Sequence, residues 1–254
     1  MLNWKHYVLL STGLISILLV MLLPAIPQDV QYHNFADQRT MLGIPHFLNV
    51  MSNLPYLLFG IMGCLLILRE AELSIVHNLK HAYLVFFIGV GLVCLGSGYY
   101  HWNPSSSTLF WDRLPMTLAF MSFFTVIFAE HVHKDLAQKI FLPLLLIGLV
   151  SVVYWYWTET LGQGDLRLYI LVQFLPILLI PLILWLFTPG FSHHHYYWLI
   201  IACYVLAKVF ELADEAVFDF LGFISGHSIK HLISSMAPFI FYLALKKRGL
   251  KSIN

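Results

Sequence analysis

Residues 82–101 read AYLVFFIGVGLVCLGSGYYH, an apolar run that carries no charge and closes on a histidine. Crossing the hydrocarbon of a bilayer takes about 20 predominantly apolar residues, so this stretch is read as a membrane span. Ser97 and His101 lie one turn apart near its end, on the same helix face. Seven further runs share the character: 7–25, 46–68, 112–130, 140–157, 167–187, 196–214 and 228–245. In lipid every backbone polar group must be satisfied internally, which leaves helices and closed barrels, and runs of this length are helical. The expected fold is all-α, a polytopic transmembrane helix bundle of eight spans with both termini on one side.

Composition agrees. The 254 residues are 59% hydrophobic and 11% charged, with a mean hydropathy of +0.79, whereas a soluble domain carries roughly 25% charged residues. A net charge of +1 offers nothing to nucleic acid. Cys64, Cys94 and Cys203 fall inside apolar runs without C-x-x-C spacing, so they are read as small packing residues, not redox or metal groups. The first run follows Lys5 and outlasts the roughly 7–15 apolar residues of a signal peptide, and no A-x-A-like site follows it. It is read as a retained span. No repeat or long linker divides the chain.

Lys and Arg in the loops set the orientation. Lys5, Arg69, Lys80, Lys134, Lys139, Lys246, Lys247, Arg248 and Lys251 fall on one side, against Arg39, Arg113 and Arg167 on the other; Lys208 and Lys230 lie within spans. The bias places both termini in the cytoplasm. On that map His101, Asp112, His227 and His231 all land at the outer face, although none entered the count. Asn49, Ser52, Asn53, Gln173, Lys208, Glu211, Asp214 and Glu215 gather there too, while the inner halves are nearly pure Leu, Ile, Val and Phe. A polar cavity that opens outward over a greasy floor is expected.

Ionisable groups inside a membrane are costly and usually mark function. His227 and His231 form an H-x-x-x-H pair on one helix face, and His101 supplies a third imidazole from another helix. Three protein ligands with an open fourth position is the usual arrangement of catalytic zinc, which lowers the pKa of bound water from 15.7 to about 7. Asp112 is the candidate for proton transfer, and Ser97 for a hydrogen bond to the water or to a developing oxyanion. Each residue alone has a plainer reading: an interfacial His101, a helix cap at Asp112, a packing site at Ser97 between Gly96 and Gly98. Together at one depth they favour a joint site. The other histidines do not compete. His193, His194 and His195 read as a polar loop on the inner side, His6, His77, His81, His131 and His133 also lie inward, and His33 and His46 flank the outer loop.

Three motifs carry a family resemblance: Gly96-Ser97-Gly98-Tyr99-Tyr100-His101-Trp102-Asn103-Pro104, Phe110-Trp111-Asp112-Arg113-Leu114-Pro115-Met116, and Gly226-His227-Ser228-Ile229-Lys230-His231. They resemble the alkaline ceramidases, within the CREST superfamily of membrane hydrolases that includes the adiponectin receptors. The segment from Ile44 to Pro55 looks like that family's first span. The resemblance covers roughly residues 44–245. It implies a seven-helix core holding zinc through His101, His227 and His231, with Ser97 and Asp112 beside it, hydrolysing the amide of ceramide to a fatty acid and a sphingoid base. The chain then divides into an extra N-terminal span (1–27), an outer loop (28–45), the hydrolase domain (46–245) and a basic cytoplasmic tail (246–254). Eukaryotic members hold a calcium ion through an acidic segment before their first span. Here His46 stands at the aligned Glu, and Asp29, Asn34 and Asp37 are the calcium candidates; alternatively His33, Asp37 and Arg39 contact a lipid headgroup.

The expected partners are the membrane and a lipid amide that reaches the cavity sideways. The competing class is a non-enzymatic, receptor-like member whose zinc is structural. Haem pairing of His101 with a histidine of the last span is disfavoured by the close i, i+4 pair, and intramembrane proteolysis by the lack of H-E-x-x-H. Oligomeric state is not readable from the sequence.

Overall fold

The computed structural model describes residues 3–70 and 72–250. Among these residues the chain is helical throughout: α1 (Trp4–Leu22), α2 (Phe47–Met51), α3 (Leu54–Arg69), α4 (Lys80–Trp102), α5 (Ser106–His131), α6 (Lys134–Thr160), α7 (Arg167–Leu186), α8 (His195–Leu212), α9 (Asp214–Leu221) and α10 (Gly226–Lys247). Eight of these segments, counting α2 and α3 as one, are long and apolar enough to cross a membrane. Alternate connections therefore collect at two ends of the bundle. One end holds both described termini; the other holds His101, His227 and His231 and is called here the histidine end.

Local chemistry sets the boundaries, and three departures from the expected spans bear on the site. α5 begins at Ser106, six residues before Asp112, because Ser105 and Thr108 form a reciprocal capping box. The 196–214 run ends at Leu212, and a separate short helix, α9, follows it. The second run is broken at Ser52-Asn53, where Pro55 occupies the first turn of α3. Proline is pre-organised for that position because it has no N–H to leave unpaired.

Six helices close into a ring in the order α3, α4, α5, α7, α8, α10 and back to α3. α7 and α8 touch only sparingly and leave the thinnest seam in this ring. α6 packs outside against α5 and α7, and α1 rests on α7 with almost all of its large apolar side chains exposed. Gly96 brings α4 hard against α5: a Cβ there would run into the carbonyl of Trp111. Small residues at such crossings are what allow membrane helices to approach closely, and this one sets Ser97 beside Asp112.

At the end with the termini, the buried Glu130 carboxylate on α5 accepts from Tyr83 at 2.6 Å, Tyr197 at 2.5 Å and Arg248 Nη1 at 3.0 Å, and forms an ion pair with Arg248 Nη2 at 2.8 Å. Arg248 also donates to Ser74 O at 2.7 Å. α10 thus runs through Lys247, and Arg248 turns back into the bundle to tie four helices together. Lys251 and the rest of the expected tail lie outside the described residues.

Candidate metal centre and its cavity

His101 arrives on the last turn of α4, and His227 and His231 on the first two turns of α10, which Ser225 caps by accepting from Ser228 N. The three rings form an equilateral set, with every pair of centroids 4.8 Å apart. All three are buried, and one nitrogen from each lies within 4.8 Å of the other two. Among the described residues this is the one cluster of three or more His, Cys, Asp or Glu side chains able to hold a metal ion.

Supporting contacts orient the rings. Ser52 Oγ donates to Asn49 O at 3.1 Å, so towards His231 Nδ1, 2.9 Å away, it accepts. A proton on Nδ1 given to Ser52 would leave Nε2 with its lone pair, the usual device for a metal-ligating histidine. The break between α2 and α3 is what presents Ser52 there. Asn49 Oδ1 accepts from Ser228 Oγ at 2.6 Å, joining α2 to the start of α10. Asp214 accepts from the backbone of His227 at 2.7 Å and of Ala36 at 3.0 Å, coupling α9, α10 and the loop after α1. Nδ1 of His101 is buried without a hydrogen-bond partner. A neutral, convergent imidazole set with one nitrogen unengaged suits a divalent metal of the zinc class.

Phe35 covers the set from the loop side, its ring 4.6 Å from those of both His101 and His227. On the other side lies a cavity of about 530 Å³, lined by residues of the ring helices and of the loop after α1. Ser97, Asp112 and His231 line its polar end, and Phe86, Phe123 and Ile180 line its apolar depth. The Asp112 carboxylate faces Ser97 across the close approach of α4 and α5 at Gly96. It lies nearly two turns into α5, and the helix is capped elsewhere, so the cap reading fails.

All five residues expected at the site are brought together. The calcium candidates are not. Asp29 accepts from Gln31 N at 2.9 Å to cap a short 3-10 turn, and Asn34 donates to Gln31 Oε1 at 2.5 Å. Asp37 is buried in a bidentate pair with Arg39, at 2.8 and 2.7 Å. Burial alone would raise the Asp37 pKa, but the Arg39 hydrogen bonds outweigh it and hold the carboxyl below its usual range. Arg39 in turn donates to Phe223 O at 2.7 Å, and His33 bonds the Tyr100 hydroxyl at 2.9 Å. The residues considered for headgroup contact thus fasten the loop down. Arg113, counted from sequence as a loop charge, is buried between Trp155 and Tyr169, 4.2 and 4.7 Å from their ring centres, and donates to Gln28 at 2.7 Å.

Lys230 and Glu211 also line the polar end of the cavity; the sequence put Glu211 among the polar residues gathered there but gave neither residue a chemical role. The signal was present, since a lysine inside a span is itself expensive.

A family model described as Ceramidase matches residues 40–219. The matched stretch takes in Ser97, His101 and Asp112 and stops short of His227 and His231. No curated protein gives a significant match.

Proposed function

The chain belongs to the ceramidase family, and from that premise we propose that it is a membrane-embedded, zinc-dependent amidohydrolase. Its substrate is ceramide or a related N-acyl lipid, cleaved to a fatty acid and an amine such as a sphingoid base. The observation that carries the reading is the convergence of three buried imidazoles beside Ser97 and Asp112, at the polar end of an apolar cavity. Family membership supports amide hydrolysis; the donor set supports zinc.

His101, His227 and His231 would hold the ion, which when bound supplies Lewis-acid chemistry, acidifying water and polarising a carbonyl. Asp112 takes the proton of the attacking water and passes it to the nitrogen of the departing amine. Ser97 holds the Asp112 carboxyl in place and is itself within reach of the reacting oxygen. Ser52 fixes the ring of His231. The apolar depth takes the acyl chain, and Phe35 keeps bulk water off the rings. The loop charges support cytoplasmic termini and a site at the opposite, periplasmic or lumenal, face. α1 is then an addition to a seven-helix hydrolase unit over residues 46–245.

The test joins elemental analysis of the purified protein to fatty-acid release from ceramides and other lipid amides. About one zinc per chain and released fatty acid are expected, with both lost in His101→Ala, His227→Ala and His231→Ala. Well-folded protein that contains zinc but releases no fatty acid from any lipid amide would instead make it a receptor-like member.

A further inference from the structure

Beside the triad stands a charged group that the chemistry above leaves idle. Lys230 follows His227 by one turn of α10, and its ammonium lies 3.1 Å from His227 Nε2 and 3.1 Å from Glu211 Oε1 on α8. The other oxygen of Glu211 pairs with Lys208. All three side chains line the same cavity as Ser97, Asp112 and His231. Glu211 is thus shared by two ammonium groups, and the Asp112 carboxylate lines the same polar end. Buried charges are tolerated only when well paired, and Glu211 gives Lys230 the partner that lets it stay charged beside the triad.

The second contact of Lys230 adds a constraint. A neutral imidazole carries one in-plane lone pair, and its other nitrogen carries a hydrogen. If His227 gives that lone pair to a metal, from either nitrogen, it can no longer accept from an ammonium. The Lys230–His227 bond and a metal on His227 are therefore alternatives. Loading the triad releases an N–H of Lys230 next to it, while Glu211 keeps the ammonium in place.

We propose that Lys230 is a further catalytic residue: its ammonium, anchored by Glu211, contacts the acyl oxygen of the substrate amide and stabilises the charge that this oxygen gains. As water adds to the carbonyl carbon, the new C–O bond forms and the π pair moves onto the acyl oxygen. When that pair returns, the C–N bond breaks and the nitrogen takes the proton carried by Asp112. Lys230 keeps its protons throughout, acting by charge and hydrogen bonding. The inference rests on the hydrolase reading.

Its test uses the full-length protein with Lys230→Met and Lys230→Arg and three readouts: metal retention against a chelator, kcat and KM on a lipid amide, and affinity of the zinc-loaded protein for a long-chain alkylphosphonate. The phosphonate is a tetrahedral anion that needs no turnover. Lys230→Met should hold zinc at least as firmly as wild type, because a competitor for His227 is gone. Its kcat should fall by about 10²-fold or more with KM little changed, and its phosphonate affinity by about tenfold; Lys230→Arg should recover part of both. Weakened zinc retention would show a structural role at the metal site and overturn the proposal, as would wild-type kcat and phosphonate affinity. Should wild-type protein cleave no lipid amide, the hydrolase reading fails by itself, and the phosphonate arm alone decides whether Lys230 is the anion-holding cation. If Lys230→Met does not fold, Glu211→Gln removes the anchor and should lower kcat and phosphonate affinity in the same direction.

Discussion

Asp112 shows how one side chain can be misplaced by a reading that starts from hydropathy. The apolar run opens at Asp112, which makes it look like a cap, yet Ser105 and Thr108 start the helix and put the carboxylate deep enough to meet Ser97. On the hydrolase reading, an acid that neither caps a helix nor ligates the triad, but lines the cavity beside it, is the group proposed to move protons. Asp112→Asn should therefore keep wild-type zinc content while kcat falls by about 10²- to 10⁴-fold. Elemental analysis and the release assay on one preparation check this, and near-normal turnover would remove the role. That the five candidate residues would meet was legible because each is a polar exception in an apolar run, at spacings that helix geometry turns into a shared face. Glu211 and Lys230 were harder. They sit on different helices, and their ion pair exists only once α8 and α10 are packed. Arg113 misled for a related reason: the rings that bury it, Trp155 and Tyr169, lie far along the chain.

Among the elements, α1 depends most on a few contacts. It rests on α7, and its far end is held by Arg167, which donates to Leu23 O at 2.7 Å, and by the bond from Leu166 N to Ile26 O at 2.8 Å. Arg167 is steered by Asp165, with nitrogen–oxygen distances of 2.9 and 2.7 Å. The Arg167 hydrogen bond lowers the Asp165 pKa against the opposing pull of burial. A carboxyl with a depressed folded pKa contributes stability above its unfolded value of about 3.9, and loses that contribution as pH falls through the folded value. Protease susceptibility of residues 22–33 should accordingly rise as the pH is lowered below about 4. In Asp165→Asn it should already be raised at neutral pH and vary less with pH; identical profiles would dismiss the clasp. The existence of all eight spans was readable, since about 20 apolar residues in a row have few other fates. The break between α2 and α3 was not read, although Pro55 announces it, because the run as a whole is apolar enough to cross a membrane in spite of Ser52 and Asn53.

For the molecule as a whole, topology followed from span count, whereas ring order, the seam and the cavity depend on which faces meet. Of the charges used for orientation, Arg113 and Arg248 are buried inside the bundle. Setting both aside leaves the bias pointing the same way, because one falls on each side. The sparse contact between α7 and α8 bears on how the reaction must be measured. Entry through that seam would draw on acyl chains, so the substrate population that matters would be the one dissolved in the surrounding film. Velocity should follow the mole fraction of lipid amide in mixed micelles. Adding inert detergent at constant bulk substrate should slow turnover, and a rate indifferent to such dilution would mean that molecules arrive through water instead.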